Sequence, residues 1–342
     1  MFFQHIAMIM LISHSVYSDN IKSLALSDHY DGKVFRNNPS TKTKSFFDLL
    51  RWRFNSVTPI EEPSRVPKVS AKPASINPER QIALTFVGHS TFLLQARGLN
   101  ILTDPIWSKR CSPISFLGPA RLQDPGITFD DLPKIDMVLL SHNHYDHMDL
   151  PTLKSLWLRD KPLFVVPLKN KATLSREGIG NTIELDWWES TTAKNKITIT
   201  AVPAQHWSGR WILDRNDALW AGFVISFGDK RVFFTGDSGF GPHFAKIKEK
   251  FVSFDVALLP IGAYLPRWFM KDHHLSPGDA IRVADILGAR KNVPMHFGTF
   301  SLGDDGFTKA RSQLEQLILE RGKNDFLILE AGEGWIEQAE AK

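Results

Sequence analysis

Asp136-Met137-Val138-Leu139-Leu140-Ser141-His142-Asn143-His144-Tyr145-Asp146-His147-Met148-Asp149 is the stretch on which the fold turns. An apolar run suited to a buried strand stops at Ser141. Four side chains able to bind a metal follow within six positions, in the order His-x-His-x-Asp-His. Neutral imidazole and carboxylate suit zinc and related divalent ions. The chain has 12 histidines in all, so three in six positions behind one strand is a concentration that a polar surface loop does not need. The density predicts a loop bent around metal.

Further ligand types stand at the ends of other apolar runs. His206 follows 197–202 in Val202-Pro203-Ala204-Gln205-His206-Trp207. Asp237 follows Phe233-Phe234-Thr235-Gly236, where glycine permits close backbone approach. His296 sits in Pro294-Met295-His296-Phe297-Gly298. A lone histidine after a strand is usually structural, but strand ends are where active-site side chains are commonly carried. Cys111 is the single cysteine, which excludes an internal disulfide and a Cys-rich zinc site.

Around these residues the texture is of short apolar runs separated first by turns and later by helical patterns. Strands are predicted over 82–87, 92–95, 100–102, 137–140, 163–166, 197–202, 220–227, 231–234, 256–259, 293–296 and 326–329. Helices are predicted over 150–158, 242–250, 277–287 and 308–320. This order suggests an α/β domain over 81–342, two sheets in a sandwich with helices outside. A hydrophobic fraction of 43% over 342 residues supplies a sizeable core.

The N-terminal part reads differently. Residues 19–80 carry six prolines and little periodicity, an extended arm. One segment, Lys44 to Phe54, is helical in pattern, with Phe46, Phe47, Leu49, Leu50 and Phe54 on one face; docking on the main domain is the reading preferred to lying on a membrane. Residues 1–80 hold 11 Lys/Arg against 7 Asp/Glu, whereas the remainder holds 30 of each. The net charge of +4 therefore belongs to the arm, which suits an anionic phospholipid surface and argues against a nucleic-acid partner. Residues 1–18 have the length of a signal-type apolar leader, but no Lys or Arg precedes Lys22, so export to the periplasm or beyond is left open. No later run is long enough to span a bilayer, and peripheral membrane association is expected.

The ligand pattern strongly resembles that of the metallo-β-lactamase superfamily. That resemblance implies an αββα sandwich and two divalent metals, most readily zinc. It implies that His142, His144 and His206 bind one metal, that Asp146, His147 and His296 bind the other, and that Asp237 bridges them. Within the superfamily, the chain from about residue 33 onward is similar to the N-acyl-phosphatidylethanolamine-hydrolysing phospholipase D family. The similarity is carried by Val87-Gly88-His89-Ser90-Thr91, Leu102-Thr103-Asp104-Pro105-Ile106, Glu184-Leu185-Asp186-Trp187-Trp188-Glu189 and Pro260 through Lys271, alongside the metal motif. His273 departs from it, standing where a non-ionisable polar residue is expected in animal members.

The resemblance implies release of an N-acylethanolamine from phosphatidic acid, with a metal-bridging hydroxide as nucleophile and Asp146 and Asp237 in the catalytic apparatus. His274 is the candidate for contacting phosphate or leaving group, with His273 beside it. His89 and Asp104 are candidates for orienting the ligand imidazoles. Trp268 and Phe269, in the aromatic stretch before His274, are candidates for an acyl groove. The competing readings are another substrate on the same site, such as a phosphorylated sugar lactone or other phosphodiester, and a non-catalytic lipid-binding protein. A homodimer is left open.

Overall fold

The computed structural model describes residues 27–41, 44–56, 81–211 and 213–337. The leader over 1–18 and most of the arm over 19–80 lie outside the described residues.

Alternating apolar runs build the first sheet. Strands β1 (Ile82–Gly88), β2 (Thr91–Ala96) and β3 (Leu99–Thr103) form an antiparallel meander through tight turns. β4 (Met137–Leu139), β5 (Leu163–Pro167) and β6 (Thr182–Leu185) continue it in parallel, and β13 (Gly334–Ile336) closes the far edge, giving the order β13-β1-β2-β3-β4-β5-β6. Helices α2 (Leu150–Asp160) and α3 (Lys171–Arg176) make the parallel crossovers. The second sheet has the order β12-β11-β10-β9-β8-β7, from β7 (Ser190–Thr192), β8 (Thr198–Val202), β9 (Gly222–Phe227), β10 (Lys230–Phe234), β11 (Val256–Pro260) and β12 (Lys291–Met295). It is antiparallel from β7 to β10 and parallel from β10 to β12. Two mixed sheets with helices outside are the expected αββα sandwich.

The period-2 alternation decides which side chains meet. In β4 and β5, Met137, Leu139 and Val165 face the second sheet, while Val138, Phe164 and Val166 join Leu153 and Leu156 of α2 in a separate outer core. The inner core runs on through the second sheet to α4 (His243–Phe251), α6 (Pro277–Leu287) and α7 (Lys309–Arg321), which bury Phe244, Ile247, Ile281 and Leu314. A short helix, α5 (Arg267–Met270), precedes α6.

Helix α1 (Phe46–Asn55) forms as expected, started by a Ser45–Asp48 capping box, but it turns a different side to the body. Trp52 is the buried anchor: its indole N–H donates to Asp304 at 3.0 Å and its ring packs on Phe269 at 4.9 Å. Phe47 and Phe54 are 79% and 86% exposed, so the expected docking face is corrected. An indole pairs apolar area with a donor that needs a partner, and the Asp304 carboxylate supplies it. None of the described helices is long and apolar enough to cross a membrane.

Candidate metal centre

Strand direction gathers the site. β3 and β4 are parallel, as are β10 and β12, and β8 runs with β10 because both are antiparallel to β9. The C-terminal ends of β3, β4, β8, β10 and β12 therefore deliver Asp104, the 142–147 loop, His206, Asp237 and His296 to one rim. The β1–β2 turn adds His89. Three of these residues, His89, Asp104 and His296, have φ of 56°, 33° and 59°, a region costly for residues with a Cβ. Gly262, two residues past β11, lets the chain pass this point, since a Cβ there would lie 1.9 Å from the His296 carbonyl.

Two groups of donor atoms converge. His142 Nε2 and His206 Nε2 lie 2.8 and 3.3 Å from His144 Nδ1. Beside them, His147 Nε2 is 3.2 Å from both Asp146 and Asp237, and His296 Nε2 is 3.3 and 3.0 Å from the same two carboxylates. Asp237 also lies 3.9 Å from His206 Nε2 and 3.8 Å from His274 Nδ1, so it stands between the groups. Buried His147 Nε2, His296 Nε2, His144 Nε2 and Asp237 Oδ1 have no hydrogen-bond partner. Buried polar atoms are almost always paired. Ring nitrogens and carboxylates that converge, several of them without a hydrogen-bond partner, fit ligation of divalent cations, and the donor set is one that such metals take.

The electrostatics divide the two groups. Burial, the largest influence throughout, would neutralise every member. It drives His142 and His206 well below the usual imidazole range and His144 to about 3, with neighbouring imidazoles adding to the effect for His142; all three are held in the neutral, ligating form. In the other group, opposite charges overcome burial: His296 is raised to about 9 and His147 well above its ordinary value, while Asp146 and Asp237 are held well below theirs.

The remaining hydrogen bonds aim the rings. His147 Nδ1 donates to Asp104 at 2.6 Å, and the same carboxylate accepts from Ser141 N at 2.7 Å and Ser141 Oγ at 2.5 Å. Asp104 is thereby committed to positioning. His142 Nδ1 meets Ser141 Oγ at 2.8 Å, and His206 Nδ1 donates to the His273 carbonyl at 2.9 Å. Each of these rings is left with Nε2 toward the site. His89 Nε2 reaches Asp146 at 2.9 Å, which places it with the second group as well as behind it.

His274 is half-buried against the centre, its ring 5.1 Å from that of His206 and 5.5 Å from that of His296. It is not part of the helix start, because Ser276 and Asp279 form the capping box of α6. His273 contributes its carbonyl, while both of its ring nitrogens are buried without partners. Trp268 and Phe269 are the seat of α1: Phe269 lies under Trp52, and the Arg51 guanidinium stands 5.0 Å over Trp268. Residues the sequence did not single out also serve the site. Ser141 bonds Asp104 and His142, Asn143 accepts from Gly209 N, and Asn37 bonds the His206 backbone. Asn37 lies 169 positions from His206, so no local pattern could have revealed it.

Fold and donor set together define a metal-dependent hydrolase centre at the mouth of an αββα sandwich. The chain belongs to the metallo-β-lactamase superfamily: the β-lactamase superfamily domain matches residues 99–297. It is 39% identical over 271 residues to N-acyl-phosphatidylethanolamine-hydrolysing phospholipase D 1 of Caenorhabditis elegans, covering 75% of this chain and 76% of that protein. It is 38% identical over 247 residues to the mitochondrial N-acyl-phosphatidylethanolamine-hydrolysing phospholipase D of Saccharomyces cerevisiae, covering 70% of this chain and 53% of the yeast protein. Among solved structures, a metallo hydrolase of the archaeon Ignicoccus hospitalis shares the fold, with a TM-score of 0.58 at 22% identity over 75% of this chain and 99% of that one.

Proposed function

We propose that this chain is a dinuclear zinc phosphodiesterase that hydrolyses N-acyl-phosphatidylethanolamine to phosphatidic acid and an N-acylethanolamine. The observation that carries the reading is the 39% identity to the C. elegans phospholipase, held across three quarters of both chains, together with the clustered donor set of this chain. His142, His144 and His206 would hold one ion, Asp146, His147 and His296 the other, with Asp237 between them. Bound there, the ions supply Lewis acidity toward phosphoryl oxygens and a water of lowered pKa. Asp104, Ser141 and the His273 carbonyl keep the ligand rings oriented. His274, over the Asp237 carboxylate, is placed to hold a phosphoryl or leaving-group oxygen by hydrogen bond.

Exposed apolar projections beside the site support a lipid substrate and a peripheral membrane location. The 111–120 segment packs Cys111 with Phe300, next to His89, and exposes Phe116 at 80% and Leu117 at 61%. Arg210 donates to Asn143 O of the metal loop at 2.9 Å, and Trp211 and Leu213 close to it in sequence are exposed at 69% and 88%. Phe54, 86% exposed, adds a third on α1, the helix whose Trp52 packs on Phe269. Apolar tips around a charged centre would let the rim enter the headgroup layer while the phosphodiester meets the metals. The test is incubation of metal-loaded protein with a mixture of phospholipids and phosphorylated lactones, followed by mass spectrometry. Selective loss of the N-acylated species is the expected result; turnover of lactones alone would refute the assignment.

A further inference from the structure

His206 sits beyond the end of β8, where the segment 203–209 leaves the sheet and its backbone loses ladder partners. A side chain replaces them. Asn37 Nδ2 donates to the His206 carbonyl at 2.8 Å, and the His206 N–H donates to Asn37 Oδ1 at 3.0 Å. These two bonds clamp the peptide groups on either side of the ligand as a neighbouring strand would. The rest of the amide is also committed: Nδ2 donates to Thr41 Oγ1 at 2.8 Å, and Oδ1 accepts from Trp220 Nε1 at 3.2 Å. Two donors and two acceptor directions are filled, which fixes which end of the amide is oxygen.

The clamp is itself anchored. Phe35 is fully buried, and its N–H donates to Asn216 O at 2.8 Å; Asn216 N in turn donates to Ser208 O at 2.8 Å, two residues past His206. Upstream, His29 stacks on Trp187 at 4.0 Å and bonds Asp186 at 2.8 Å. Trp187 Nε1 donates to Trp220 O at 2.7 Å, and Trp220 Nε1 donates to Ala204 O at 2.9 Å as well as to Asn37. Asp186-Trp187 thus closes a network that ends on the peptide groups of His206.

We propose that Asn37 is a positioning residue for the metal ligand His206, so that the N-terminal strap over 27–41 carries part of the metal site. The inference rests on the reading of His142, His144 and His206 as one metal's ligands. The His206 ring is aimed through Nδ1 by the His273 carbonyl, and Asn37 fixes the backbone from which that ring projects. Loss of a group that orients a ligand commonly costs about 10–100-fold in metal affinity.

The test is zinc affinity of the full chain at each site, by competition with a chromophoric chelator, with circular dichroism as the check on fold. Asn37→Ala should weaken one of two zinc sites by about 10–100-fold and leave the other unchanged. Asn37→Asp, which keeps Oδ1 but cannot donate to the His206 carbonyl, should weaken the same site by at least about tenfold and covers the case in which the alanine variant does not fold. Lys169→Ala removes the 2.6 Å bond from Lys169 to Tyr30 Oη elsewhere on the strap and should leave both affinities unchanged. Folded Asn37 variants with wild-type affinity at both sites would overturn the proposal. So would equal weakening by Lys169→Ala, which would mean that strap docking in general, not the amide clamp, sets affinity. A wild-type chain that takes up no zinc would instead remove the metal reading beneath it.

Discussion

Asp104→Asn is the substitution whose effect follows most directly from the geometry. The Asp104 carboxylate has no solvent exposure and accepts three hydrogen bonds, from Ser141 N, Ser141 Oγ and His147 Nδ1, at 2.7, 2.5 and 2.6 Å. An amide of the same shape offers one oxygen and one NH2 group. With the NH2 toward Ser141 N, two donors face each other in a buried site. With it toward His147, the ring must accept at Nδ1 and carry its proton on Nε2, the atom that points into the centre. Either way at least one bond to a charged group is lost, at a cost of about 1.5–3 kcal/mol. Since about 1.4 kcal/mol is tenfold in an equilibrium constant, zinc affinity at the Asp146–His147–His296 site should fall about 10–150-fold. The assay is zinc titration of metal-stripped protein, paired with NMR of the imidazole nitrogens to read the His147 tautomer. Wild-type affinity with an unchanged tautomer would refute the role given to Asp104.

Asp146→Asn and His296→Ala should each reduce hydrolysis to background while circular dichroism stays native, because each removes a side chain proposed to hold one metal; near-wild-type turnover by either would show that site to be misassigned. Phe54→Glu combined with Phe116→Glu should lower co-sedimentation with anionic phospholipid vesicles at least severalfold while turnover of a short-chain soluble substrate persists; unchanged sedimentation would remove these tips from the membrane surface. His29 gives a pH dependence. Burial, the largest influence, pulls its pKa down, yet hydrogen bonds to Asp186 and Asp28 outweigh it and leave it raised. A raised folded-state value means that the stabilisation is complete below the ordinary pKa of about 6.5 and is lost as pH rises through the folded value. The difference in melting temperature between wild type and His29→Phe should therefore shrink with rising pH, and a pH-independent difference would contradict the pairing.

Most of the architecture was legible in the sequence because apolar alternation and punctuation agree there. The expected 277–287 helix matches α6 at both ends, since Ser276 and Asp279 cap its start and Gly288, at φ 57°, ends it. The strands β6, β7 and β13 were not read, because Thr182–Leu185, Ser190–Thr192 and Gly334–Ile336 are short and largely uncovered, with no buried run to detect. The strand expected over 326–329 reduces to one bridge, Asn292 to Phe326. Asn292 turns both backbone groups to that segment, but two residues on is Pro294, which has no N–H to continue the ladder. The donor set was readable because each member follows a strand. What holds it was not, because Ser141, Asn37 and the His273 carbonyl act through contacts that depend on the folded chain. The face of α1 was misread for a related reason: counting apolar residues favoured Phe47 and Phe54, whereas a carboxylate at Asp304 selected Trp52.

Hydrolysis of N-acyl-phosphatidylethanolamine in isotopically labelled water tests the central assignment most directly. Attack at phosphorus with departure of the ethanolamine oxygen places the heavy oxygen in phosphatidic acid and leaves the N-acylethanolamine unlabelled, and that is the distribution expected when the products are weighed. Label in the N-acylethanolamine, or diacylglycerol and a phosphorylated headgroup as products, would contradict it.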